Sequence, residues 1–323
     1  LHVIIPLLMS LLIIGACEKD EPIPLPDVKF SADRTIAGDG ETILFIDRTQ
    51  NEPTSWLWSF GDGNTSTDQE PSHVYNSAGT YTVELAATNE TGTSSLIKPD
   101  YITINLKDER DVNSYKTVEI GNQVWMAENL KYLPVVNQIP DDHSYADPMY
   151  YVYNYAGTDV NTAIATEEYL TYGVLYNWPA LMNGEQSSDN NPSGVQGVCP
   201  AGWHVPSKAE WSEMIGHLGG ENVAGGKLKE ADVLHWNSPN TGATNETGFT
   251  ALPGGGVYAY SEDGWFESPE FAFLGVNGVF WSASEFDEKI AWYYHLNSYD
   301  EAIDLSNIPN SKGDAFSVRC VQD

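Results

Sequence analysis

At 323 residues, with 41% apolar and 19% charged residues, the chain is long enough for roughly two domains with sizeable cores, and wholesale disorder is excluded. Its 46 acidic residues against 15 basic ones leave a formal charge of −31, which repels phosphate backbones and anionic headgroups and so excludes nucleic acid as a partner. The acidity reads first as solubility; weak divalent-cation binding is the sharper alternative, and no ligand loop in the sequence supports it.

Residues 3–16 read VIIPLLMSLLIIGA, an uncharged apolar run. A spanning helix needs about 20 such residues, so this run is too short to cross a bilayer and has instead the length of a signal-peptide h-region. It ends Ile14-Gly15-Ala16-Cys17, which resembles the lipobox of bacterial lipoproteins. That resemblance implies cleavage before Cys17 and lipidation of its sulfur, with about 0.8 kcal/mol of anchoring per buried CH₂. A positively charged n-region is expected upstream, because no Lys or Arg precedes the run and the first residue is Leu1. The EKDE that follows Cys17 is similar to the surface-export signal of lipoproteins in the Bacteroidetes group and implies an outer-membrane lipoprotein exposed on the cell surface. Residues 1–17 are therefore read as signal and lipobox, and 18–26, containing PIPLP, as a stiff tether.

Residues 27–106 carry short alternating segments separated by turn residues, the pattern of an all-β sandwich. Ile43 and Phe45 fall on one face, as do Trp58 and Phe60; Asp62-Gly63 then marks a reversal, because this pair tolerates the positive φ of a tight turn. Tyr81, Val83, Leu85 and Ala87 alternate with Thr80, Thr82 and Glu84, giving one buried and one solvated face. Trp58-Ser59-Phe60-Gly61-Asp62-Gly63, Pro71-Ser72-His73-Val74-Tyr75 and Gly79-Thr80-Tyr81-Thr82-Val83 resemble, in residues and spacing, the PKD domain. The resemblance implies an immunoglobulin-like fold acting as a spacer or interaction module. Asp62 and His73 are read as a turn residue and a packed ring rather than as catalytic groups.

The charged, apolar-poor stretch 105–111 is read as a junction, with a second module over 112–323. In PSKAEWSEMIGHLGG, Ser207 caps a helix, Glu210 completes a capping box, Trp211, Met214, Ile215 and Leu218 form an apolar stripe, and Gly219-Gly220 is the stop. The other segments, KTVEIGNQVWMAEN, GVFWSAS, AWYYHLN and AFSVRCVQ, read as strands, so the class is α+β with little helix. YKTVEIGNQVWMAENL (115–130), YGVLYNWPALMNG (172–184), GVCPAGWHVPSKAEW (197–211), AGGKLKE (224–230), GATNETGFTALPGGG (242–256), FWSASE (280–285) and SVRCVQD (317–323) closely resemble the Fibrobacter succinogenes major paralogous domain. That family implies a C-type-lectin-like fold and a cell-surface habit, and no settled activity. The expected architecture is thus an all-β immunoglobulin-like sandwich followed by an α+β C-type-lectin-like domain.

Cys199 and Cys320 are the two cysteines other than Cys17. In an exported protein two such thiols most often pair, here closing a loop of roughly 120 residues with a gain on the order of 4 kcal/mol. Zinc is disfavoured, since third and fourth clustered ligands are missing. HVPSKAEW followed by a late VRCV is distantly similar to the formylglycine-generating enzymes, which need a reactive cysteine pair that binds copper; a disulfide leaves no thiolate for that chemistry. A formylglycine-type oxidase or another carbohydrate-active enzyme is the catalytic alternative. The G-x-S-x-G, H-E-x-x-H, P-loop and G-x-G-x-x-G signatures are absent, and a paired-carboxylate glycosidase site is not readable from sequence. The E-P-N, Q-P-D and W-N-D motifs of calcium-dependent sugar binding are absent too, Trp236-Asn237-Ser238-Pro239-Asn240 being the nearest approach. No catalytic residue, metal or cofactor is assigned.

Two places are candidates for binding a glycan or an extracellular protein. Residues 138–168 depart from the family pattern and mix Tyr145, Tyr150, Tyr151, Tyr153 and Tyr155 with Asn and Asp, the composition of an adaptable paratope. Tyr258, Tyr260 and Trp265 stand beside Gly-rich turns. The alternative in both places is an ordinary strand with one buried face. The functional expectation is a non-catalytic surface lipoprotein whose sandwich presents a binding module, with a purely structural surface-layer role as a further reading.

Overall fold

The structure, a computed structural model, describes residues 22–139, 144–258, 269–305 and 310–323. It divides into two compact units, the first built around Leu44–His73 and Thr82–Pro99, the second holding Arg34–Ile43, Val74–Tyr81 and Asp100–Asp323. Among the described residues no helix is long and apolar enough to cross a membrane.

The amino-terminal strands form two sheets. One orders Phe30–Ala32, Thr42–Asp47 and Ser72–Val74; the other runs Ile36–Gly38, Gly92–Lys107, Gly79–Asn89, Ser55–Ser59, Thr65–Ser66. Alternation sets their faces: Ile43, Phe45, Trp58, Val83, Leu85 and Ala87 are buried, while Thr42, Leu44, Thr80 and Thr82 are exposed. Trp58 lies edge-on to Phe30 at 5.2 Å and tilted to Phe45 at 5.5 Å, so one indole organises the core. The Trp-Ser-Phe-Gly-Asp motif has a steric cause. Gly61 sits at φ +87°, and a Cβ there would come within 2.5 Å of the Thr82 carbonyl. Asp62 closes the turn by accepting from the Asn64 backbone at 3.0 Å and bonds His73 Nε2 at 2.8 Å, while the His73 ring stacks on Phe60 at 4.1 Å. Both side chains are thus used in holding the turn.

The stretch expected to be a junction is ordered backbone. The Gly92–Lys107 strand continues until Leu106 and Lys107 pair with Tyr115 and Ser114, and a turn over 108–113 closes the hairpin. Its charges satisfy one another, Asp108 being fully buried against Arg110.

The remainder of the second unit holds three sheets: Thr117–Ile120, Gln123–Met126, Val321–Gln322, Trp203–His204; then Tyr150–Tyr151, Leu175–Asn177, Ala315–Phe316, Gly256–Tyr258, Glu270–Ala272; then Asn277–Glu285, Ile290–Asn297, Asp304–Leu305, with Asn310–Ser311 alongside. Five helices lie among the described residues: α1 Val160–Ala163, α2 Glu167–Tyr172, α3 Trp178–Met182, α4 Lys208–His217 and α5 Glu221–Leu228. Sequence periodicity finds α4 alone, because the others are too short to show a 3.6-residue repeat. In α4 the Ser207 hydroxyl accepts from the Glu210 N–H and the Glu210 carboxylate accepts from the Ser207 N–H, the expected capping box. Trp211, Met214, Ile215 and Leu218 are buried as their spacing requires, with Trp211 packed against Trp125 at 4.7 Å and Tyr294 at 4.8 Å.

The last segment is not one strand. Residues 317–320 lie between Ala315–Phe316 and Val321–Gln322 and hand their hydrogen bonds across: Ser317 bonds Val279, while the Val318 and Cys320 carbonyls accept from Leu130 and Met126.

Two histidines, His204 buried and His295 half-buried, have pKa values shifted in opposite directions, and a pH optimum is expected from them. His204 lies between Glu210 (2.6 Å) and Asp323 (2.7 Å). Burial alone would lower its pKa, but those hydrogen bonds and negative charges carry it above its ordinary value. His295 has a buried Nε2 without a hydrogen-bond partner among the described residues, and burial lowers its pKa despite Asp304 and Asp300. A raised pKa stabilises below the unfolded value of about 6.5 and is lost as pH rises through the folded value. A lowered one stabilises above that value and is lost as pH falls. Stability over pH 5–8 is therefore expected to peak near 6.5, with His204→Gln flattening the alkaline side and His295→Gln the acid side of a urea-denaturation profile. A wild-type profile that is flat on both sides would refute this account.

Candidate functional site

The second unit carries two adjoining cavities, of about 380 and 390 Å³, that share Asn183 and Glu185 in their walls. Each is of a size that takes a small ligand. The two cavities, meeting at these residues, are termed the groove, with an apolar half and a polar half.

The apolar half is built on α3. Asn177 caps this helix, its Oδ1 accepting from Ala180 N–H at 3.1 Å and from Met149 N–H at 2.8 Å. Its Nδ2 donates to the carbonyls of Ser144 (3.3 Å) and Asp147 (2.9 Å). One buried amide therefore ties the 144–149 loop to α3 and holds Tyr145, 48% exposed, at the groove's edge beside Pro148, Trp178 and Met182. Lys312 lies 4.2 Å over the Trp178 ring and pairs with Glu285 at 2.5 Å. That ion pair holds the Glu285 carboxyl below the usual carboxylate range.

The polar half repeats the arrangement. Arg110 lies 3.9 Å over the Tyr132 ring and grips both oxygens of buried Asp108 at 2.8 and 2.7 Å, while its Nη1 donates to the Val198 carbonyl at 2.8 Å. The Tyr132 segment is itself clamped by hydroxyls. Tyr176 and Tyr169 donate to the carbonyls of Tyr132 (2.8 Å) and Lys131 (2.9 Å), and Tyr115 accepts from the Lys131 N–H (3.0 Å). Burial pushes the Tyr115 and Tyr176 phenols up, so they stay protonated.

The wall at the join is backbone: Val198 N–H donates to Leu181, and Gly197 N–H donates to Glu185 Oε1 at 3.2 Å. Gly197, at φ +53°, leaves no room for a side chain, since a Cβ would come within 2.4 Å of the Leu181 carbonyl. The disulfide Cys199–Cys320 is formed and fully buried immediately beyond this wall. Arg110, Tyr132, Asn183, Glu185, Gln196 and Lys312 were not singled out in the sequence. The Asn183-Gly184 pair closing α3 is a local signal for one of them; the others come together only through the fold.

The tyrosines expected to form a paratope divide. Tyr145 alone of the five is exposed. Tyr150 is buried and lines the polar cavity. Tyr151 and Tyr153 are buried against Phe271, at 6.5 and 5.0 Å, and present no free face. Tyr155 is half-buried and donates to the Asp159 carbonyl at 3.0 Å. Tyr258 packs on Phe273 and Phe316, at 5.2 and 5.4 Å, and burial raises its pKa. Of these residues Tyr145 is exposed beside one cavity and Tyr150 lines the other, while Tyr151 and Tyr153 are core and Tyr155 and Tyr258 are half-buried. Cys17, Tyr260 and Trp265 lie outside the described residues.

Comparison with known proteins places these features. The PKD domain model matches residues 24–104 and the Fibrobacter succinogenes major domain model residues 118–322. Among curated proteins the chain is 35% identical over 104 residues to collagenase ColA of Bacillus cereus, a stretch covering 30% of this chain and 10% of that protein. It is 44% identical over 57 residues to a microbial collagenase of Vibrio alginolyticus, covering 16% and 7% respectively. The chain thus spans a tenth or less of these two relatives' lengths. Among solved structures it is similar to the PKD1 domain of Vibrio anguillarum Epp, at 26% identity over 26% of this chain and 99% of that one, with a TM-score of 0.23. With a PKD domain ahead of it and more than half of its length matched by the second model, this chain belongs to the Fibrobacter succinogenes major domain family.

Proposed function

We propose that this protein is an exported lipoprotein, anchored through Cys17 at the outer-membrane surface, whose PKD domain carries a non-catalytic, lectin-like second unit that binds a glycan in the groove. The observation that carries this reading is the union of two cavities at Asn183 and Glu185, one rimmed by exposed Tyr145 and the other lined by Arg110 and Gln196. Sugars present apolar C–H faces and hydroxyls together, and rings beside amides and immobilised cations match both. The lectin-like class is supported by helices flanking short sheets and by a disulfide from ahead of α4 to the last segment. The absence of formylglycine-type oxidase chemistry is supported by the fate of Cys199 and Cys320, which are buried and bonded to each other.

Probing a glycan array and matrix proteins with the intact secreted chain tests the reading. Binding to a glycan class is expected to fall about five- to tenfold for Tyr145→Ala, the size of one stacking contact. Tyr299→Ala, 66% exposed and outside the groove, leaves it unchanged. Glycan binding insensitive to Tyr145→Ala, or binding to matrix proteins only, would overturn the groove as a sugar site.

A further inference from the structure

The charges lining the groove are unequal in a way that selects among glycans. Both cations are already neutralised: Arg110 holds both oxygens of Asp108, and Lys312 pairs with Glu285. Both also sit over aromatic rings, which fixes them in place. The carboxylates facing the groove are not matched in this way. Among the described residues Glu185, at the join, accepts from the uncharged Gly197 N–H and has no ion pair, and Glu288, exposed at the rim, has no cationic partner. Two further carboxylates, Asp108 and Glu285, stand behind the paired cations, and the chain as a whole carries −31.

We infer that the groove takes neutral glycans and rejects uronate- or sulfate-bearing ones, an inference that rests on the glycan reading above. Neutral sugar hydroxyls donate to Glu185 and Glu288, and they accept from the amides of Asn183 and Gln196. A sugar carboxylate seated at the join would meet Glu185 without a free cation to offset it. One such like-charge contact at a partly screened distance is worth on the order of tenfold in affinity. The preference is electrostatic, so salt weakens it.

Affinity electrophoresis of the intact secreted chain in gels containing a neutral β-glucan, a galactomannan, polygalacturonate or heparin tests the inference. Retardation by a neutral polymer and not by the two polyanions is expected at low salt. Glu185→Gln combined with Glu288→Gln is expected to raise the ratio of polyanion to neutral affinity about tenfold, and Glu288→Gln alone, at an exposed position, moves it in the same direction. High salt narrows the wild-type gap. Polyanions retained by the wild type as strongly as neutral polymers, or a ratio unmoved by both variants, would overturn the selectivity while leaving the groove a glycan site. Retention by none of the four would overturn the glycan reading and the selectivity with it.

Discussion

Replacing Cys199 and Cys320 together by alanine is expected to lower the unfolding free energy of the second unit by about 4 kcal/mol. The bond joins residues 121 apart in sequence, and releasing so long a loop returns a large conformational entropy to the unfolded chain. Both sulfurs are fully buried, so the loss falls on the unfolded state and on a small packing defect rather than on any exposed group. The anchoring points make the effect global. Cys199 follows the groove wall, and the Cys320 carbonyl accepts from Met126 in the central hairpin. Urea denaturation of wild type and double variant under non-reducing conditions measures this, with a larger m-value for the variant because its unfolded chain is more expanded. A change below about 1 kcal/mol would show that the cross-link contributes little.

Arg319→Met is expected to cost about 3–5 kcal/mol, comparable to losing the disulfide. The guanidinium is buried with neutral acceptors only: Asn129 Oδ1 at 2.7 Å and the carbonyls of Met126 (3.0 Å), Phe249 (2.7 Å) and Thr250 (2.9 Å). It lies 4.5 Å from the Phe249 ring and 5.7 Å from that of Phe280. Burial pushes its pKa down, and Glu128 offsets this only partly. Methionine fills much of the volume but takes the donors away from four acceptors, and the orphaned groups dominate the loss. Arg319→Lys keeps the charge and is expected to fall between the two, since an ammonium has fewer donors and no planar fork. Chemical denaturation decides the matter: a methionine variant within about 1 kcal/mol of wild type would mean that the acceptors find other partners.

The comparison of Arg319 with Ser207 shows where sequence reading stops. Ser207 and Glu210 act within one turn, so their spacing predicts the capping box and the stripe behind it. Arg319 joins residues 126, 129, 249 and 250, separations over which no local pattern exists. The tyrosines of 145–155 teach the same lesson in reverse. Their composition suits a binding loop, yet Tyr150 packs into one core cluster while Tyr151 and Tyr153 pack into another. Alternation places neighbours on opposite faces, but whether the second face meets water or another layer depends on what the rest of the chain lays over it.

Local chemistry therefore determined much from the sequence alone: the sandwich pattern around Trp58, the turn at Asp62, the α4 boundaries and the two cysteines available to pair. These follow from backbone sterics, periodicity and residue counts, which act over a few positions or none. The groove was decided by tertiary structure only. Arg110 meets Tyr132 and Val198, and Lys312 meets Trp178 and Glu285, because the fold brings turns, loops and α3 together from distant parts of the sequence. Charge neutralisation, burial and the shape of a cavity are properties of what surrounds a side chain, and only the folded chain supplies those surroundings.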